Sequence, residues 1–88
     1  MMETRQLKNN EMPEGVKKFF LIRMNSECQL ILEQYEYHKI RGWDSEIIHE
    51  FNLWTPYDKE EVLREAEAWV HNGIPLYIEE DTFFVEIT

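Results

Sequence analysis

One stretch of this chain, TPYDKEEVLREAEAWVHNG, repeats its apolar residues at clear helical spacing. Val62, Leu63, Ala66, Trp69 and Val70 fall within an arc of about 120° when residues are set 100° apart. Thr55 is placed to cap the first turn, with Pro56 at the first helical position and Asp58 at the third. Gly73 supplies the stop. Glu60 precedes Arg64 by four residues, the favourable order for a helical ion pair. The remaining apolar residues come in short runs closed by polar or turn-forming residues, a pattern that strands satisfy.

The first such run is VKKFFLIRM, where Phe19 to Ile22 are followed by Asn25-Ser26. Two further stretches read either way. In CQLILEQYEYH, a strand puts Ile31, Tyr35 and Tyr37 on one face, with Glu33 interrupting it. A helix would use Ser26 and Gln29 as a capping box and make a stripe of Cys28, Ile31, Leu32 and Tyr35. In DSEIIHEFNLW, a strand aligns Ile47, His49, Phe51 and Leu53, whereas a helix groups Ile47, Ile48, Phe51 and Trp54. The Tyr-Glu-Tyr alternation and the neighbouring strand favour a strand for the first stretch, and a strand is preferred again for the second. Arg41-Gly42 then forms the turn between them, because glycine reaches positive φ without steric cost. Residues 17–54 are thus expected to form a three-stranded antiparallel meander.

After the helix, IPLYI and FFVEI are two more strand-type runs separated by Glu79, Glu80, Asp81 and Thr82. Pro75 cannot donate to a ladder, so its strand begins there or lies at an edge. Residues 1–15 are polar, carry Pro13 and Gly15 and sustain no period, so a flexible leader is expected there, with one domain over 16–88. The expected fold is α+β in the order β-β-β-α-β-β, one antiparallel sheet with the amphipathic helix on one face.

Charge narrows the partners. Residues 1–42 carry seven Lys and Arg against six carboxylates. Residues 43–88 carry only Lys59 and Arg64 against twelve, and the whole chain stands at −9. Such a surface repels nucleic-acid phosphates and anionic membranes and attracts basic proteins. The single Cys28 can form no internal disulfide, and a secreted domain of this size usually carries several cysteines, so a reducing, cytoplasmic setting is expected. No apolar run nears the ~20 residues that span a bilayer, and the N-terminus lacks the apolar core of a signal peptide.

Little in the sequence carries chemistry. Cys28, His38, His49 and His71 are 10, 11 and 22 residues apart, unlike the close pairs of zinc sites. No local signature surrounds Cys28, which reads as a buried or half-buried, unreactive thiol. The glycines are isolated, so there is no phosphate-binding loop. No metal, cofactor or catalytic residue is expected. Three tryptophans, four tyrosines and five phenylalanines remain. Trp69 should be core, while Trp43 is free to anchor an interface.

The resulting expectation is a non-enzymatic acidic module that docks on a basic protein surface. In size and charge it is like small antagonists, such as phage-type anti-defence proteins or nucleic-acid mimics. Glu61 and Glu65 on the helix flank, Glu79, Glu80 and Asp81 at the strand tip, and Trp43 are the expected contacts, with carboxylates standing where phosphates would bind. Two alternatives accompany this reading. One is a homo-oligomeric or accessory subunit that packs through a second sheet face bearing Phe19, Leu21, Ile31 and Tyr37. The other is a small metal- or thiol-dependent enzyme.

Overall fold

A computed structural model of the chain describes residues 4–8, 11–52, 58–71 and 73–82. Five strands and one helix run in the order β1 (Thr4–Leu7), β2 (Lys18–Met24), β3 (Leu30–His38), β4 (Gly42–Glu50), α1 (Lys59–Ala66) and β5 (Leu76–Glu79). The strands form one sheet ordered β1-β5-β2-β3-β4. The α+β class and the antiparallel β2-β3-β4 meander agree with the expectation. The purely antiparallel sheet does not, because β5 pairs in parallel with both β1 and β2. The expected order β-β-β-α-β-β also changes: a strand precedes the meander. The second C-terminal strand, FFVEI, lies outside the described residues, as do Thr55, Pro56 and the aromatics Trp54 and Tyr57.

The parallel pairing follows from the helix. β4 runs in the same direction as β2, and α1 carries the chain back before β5 starts, which is the crossover that parallel strands require. Pro75 sits just ahead of β5, and its carbonyl accepts from the Phe20 amide at 2.9 Å. Its missing N–H therefore interrupts no ladder, although β5 is an interior strand. Thr4–Leu7, read from sequence as part of a leader, form the edge strand β1 instead. Val16, just ahead of β2, packs against the cluster formed by Leu7, Phe19, Leu21 and Tyr77.

Two turns of the meander have local causes. The Asn25 side chain accepts from the Glu27 and Gln29 amides at 2.9 and 3.0 Å, and Cys28 takes a positive φ of 61°. This side-chain-closed turn defeats the helical reading that began at Ser26. Cys28 stands exposed in it, contrary to the expected buried or half-buried thiol. Gly42, at φ 80°, ends the β3–β4 turn.

The sheet separates two layers of side chains. On one face Phe20, Ile22, Leu30, Leu32, Leu76 and Ile78 pack with Phe51 and with Val62 and Ala66 of α1. On the other lie Phe19, Leu21, Leu7 and Tyr77, joined by the half-buried Tyr35 and Trp43. A β-bulge between Leu32 and Glu33 changes the expected alternation in β4. Ile47 pairs with Glu33 and His49 with Leu32, so Ile48 is the extra residue. Ile47 therefore stays 50% exposed on the second face while His49 and Phe51 turn toward the helix.

Candidate functional site

The helix side carries most of the carboxylates singled out from sequence. Asp58 is the N-cap, accepting from the Glu60 amide at 3.0 Å, three residues later than the expected Thr55. Glu60 and Glu61 then occupy the first turn, where the helix dipole favours negative charge. Both are exposed, as is Arg64, which forms no ion pair with Glu60. The helix ends at Ala66, and the Trp69 amide returns to the Ala66 carbonyl at 2.9 Å. Trp69 therefore leaves the apolar stripe and is 42% exposed, not core. It stacks on His49 with ring centroids 4.9 Å apart, and His49 Nε2 lies 2.8 Å from Glu65 Oε1. This contact ties α1 to β4 and gives Glu65 a partner within the chain.

The β3–β4 hairpin presents a shallow polar depression of about 440 Å³ lined by Gln34, Glu36, His38, Asp44, Ser45 and Glu46. Asp44 lies 3.0 Å from Arg41 and 3.2 Å from His38. Glu46 is exposed and forms no ion pair. Glu61, Glu65, Asp44 and Glu46 thus share one side of the sheet.

The opposite side holds a second cluster that sequence reasoning missed. Glu33, which looked like an interruption of an apolar face, is 5% exposed and forms an ion pair with Arg23. The Tyr35 hydroxyl donates to the same Glu33 oxygen at 3.4 Å. The Glu33 hydrogen bond raises the Arg23 pKa above its usual value, against the opposing effect of burial. Burial, reinforced by Glu33, raises that of Tyr35. A cleft of about 410 Å³ opens next to this cluster, floored by Phe19 and Leu21 and rimmed by Lys8, Glu11, Met12 and Glu79. The Phe19 ring stacks on Tyr35 at 4.8 Å, and Trp43 meets Phe19 and Tyr37 edge-on at 5.4 Å each.

Glu79 belongs to this second side. Burial raises its pKa, Arg23 opposes the shift, and Asp81, Glu33 and Glu80 add to it. A carboxyl with a raised folded-state pKa favours folding when protonated, and that contribution is lost as pH rises from the ordinary glutamate value through the raised one. Glu79→Gln is therefore expected to flatten the stability profile across that window and to raise the melting temperature at neutral pH. Thermal melts at a series of pH values check this; a melting temperature lowered at neutral pH would show that ionised Glu79 is net stabilising.

The six expected contact residues are thus divided. Glu61 and Glu65 lie on the helix side, Glu79 and Trp43 face the other, and Glu80 and Asp81 occupy the turn after β5, where the Glu80 amide donates to the Leu7 carbonyl at 2.9 Å. They do not form a single uncompensated patch: Arg23 acts electrostatically on Glu79, Glu65 lies within hydrogen-bond distance of His49, and nearby Asp44 is paired with Arg41. Phe19, Leu21 and Ile31 of the second face are buried within the chain, which leaves Tyr37 and Ile47 exposed there. Among the described residues no group of three His, Cys, Asp or Glu side chains is arranged to hold a metal ion, and no helix is long and apolar enough to cross a membrane. Comparison with protein-family models, with curated proteins and with solved structures finds no match for this chain.

Proposed function

We propose that this chain is a non-enzymatic, cytoplasmic binding module that docks its helix side on a basic protein surface, acting as an antagonist or nucleic-acid mimic. The supporting observation is the side of the sheet shared by α1 and the β3–β4 hairpin. There Glu46, Glu60 and Glu61 are exposed without an ion-pair partner among the described residues. Opposed to a basic surface, such carboxylates accelerate encounter and make binding salt-sensitive. Glu79 faces the other side of the sheet and, with Glu80 and Asp81 of the turn after β5, would act through long-range attraction.

Immobilised full-length protein is expected to retain basic proteins from a cell lysate at low salt and to release them at high salt, where charges beyond ~3 Å are screened. Retention of no basic protein at low salt overturns the proposal. A homo-oligomeric subunit is the second reading, favoured by exposed Tyr37 and Ile47 beside Trp43. It requires a dimer that persists at high salt, which light scattering at two ionic strengths detects.

A further inference from the structure

Among the described residues β4 is one of the two edge strands of the sheet, opposite β1, and only β3 pairs with it. Asp44, Ser45, Glu46 and Ile47 are exposed in succession along it. An open strand edge is a row of unpaired backbone donors and acceptors, ready to accept another strand. The two faces flanking this edge differ in character. Asp44 and Glu46 pair with Glu36 and Gln34 on the helix side, while Trp43 and Ile47 pair with Tyr37 and Glu33 on the other.

We infer that residues 42–47 of β4 accept an extended peptide segment of a partner protein, in which Lys or Arg alternates with apolar residues. The segment's cations would face Asp44 and Glu46, and its apolar side chains would cover Trp43, Tyr37 and Ile47. Opposite charges and aromatic–aliphatic pairs across neighbouring strands each contribute about 0.2–1 kcal/mol, so the side chains select the segment while the backbone holds it. The bulge at Ile48 disrupts the ladder and sets the far limit of the docked segment. A second copy of this chain is a poor occupant of the same edge. β4 carries Asp44, Glu46 and Glu50 and no lysine or arginine, so two β4 strands would oppose acid to acid. This inference rests on the proposal of a basic partner and adds the manner of its binding.

The test uses a synthetic Lys-Val-Lys-Val-Lys-Val peptide with blocked ends, titrated into the isotope-labelled full chain at low salt. Backbone amide shifts are expected to concentrate in residues 42–47 and to vanish at high salt. Two further peptides carry N-methyl groups on one or the other alternate set of backbone nitrogens, which leaves their charge intact. Methylation of the set that faces β4 should weaken binding by about tenfold or more, and methylation of the other set should not, because only the first removes hydrogen bonds to the edge. If both methylated peptides bind as tightly as the parent, or if the shifts fall on α1 instead, the edge is not the site although a basic ligand is still recognised. If the peptide does not bind while basic proteins are retained from lysate, the edge proposal alone fails. If neither binds, the basic-partner reading fails with it. Concentration-dependent protection of the β4 amides without peptide would assign the edge to a second copy and overturn the choice of occupant.

Discussion

Phe20→Ala is expected to unfold most of the protein near physiological temperature. Phe20 is fully buried at the centre of the sheet, paired with Leu76 of β5 on one side and Gln34 of β3 on the other. It packs in the layer that joins Val62 and Ala66 to the sheet. Removing a buried phenylalanine ring leaves a cavity and costs about 3–5 kcal/mol. The whole domain holds on the order of 5–10 kcal/mol, and each kcal/mol shifts the melting temperature of a domain this size by about 4–8 °C. The expected fall is about 15–30 °C, read by circular dichroism. A fall of only a few degrees would mean that the layer under α1 is loosely packed.

The second large effect concerns the charge buried on the other face. Arg23→Leu leaves Glu33, 5% exposed, without its cation. Stranding a buried charge costs about 3–5 kcal/mol when both partners are enclosed. The Arg23 side chain is 30% exposed, so water already screens the pair, and about 2 kcal/mol is expected here. Replacing both residues, Arg23→Leu with Glu33→Leu, should recover stability to within about 1 kcal/mol of the original, because a well-packed apolar pair avoids the desolvation cost. Chemical denaturation of the two variants separates the cases. A double variant as unstable as Arg23→Leu alone would show that the carboxylate is needed for more than neutralising Arg23, with the Tyr35 hydroxyl as its remaining partner.

The meander was legible because Phe19 to Ile22 and the Tyr-Glu-Tyr stretch carry strand patterns over their own length. Arg41-Gly42 marks the turn between β3 and β4 in the same local way. What required long-range information was lost. β1 has a single buried residue, Leu7, and it is held by backbone pairing to β5, which leaves no trace in hydropathy. The parallel direction of β5 depends on where the crossover returns, and neither IPLYI nor its flanks encode that. The bulge at Ile48 shifts alternation by one residue, so Ile47 and His49, two apart in sequence, point to opposite faces. Trp69 and Val70 fit the helical period, yet the helix ends at Ala66 and the Trp69 ring stacks on His49.

The Arg23–Glu33 pair had a usable signal. A hairpin closed at residues 25–29 sets Arg23 diagonal to Glu33 across β2 and β3, within reach of long side chains. A lone cation and a lone anion, each interrupting an apolar face, are partners by that register. The division of the acidic residues between two sides of the sheet had no such signal, since Glu61 and Glu79 belong to elements whose placement only the crossover decides.

The claim that the helix side is the docking surface is tested most directly by reversing the same amount of charge at two different places. Two triple variants are compared, Asp44, Glu46 and Glu61 to Lys in one, Glu79, Glu80 and Asp81 to Lys in the other, each titrated calorimetrically against one basic protein retained at low salt. The account predicts that the first loses about tenfold or more in affinity and that the second, which alters long-range attraction alone, loses much less. Equal losses in the two variants, or a larger loss in the second, would contradict it.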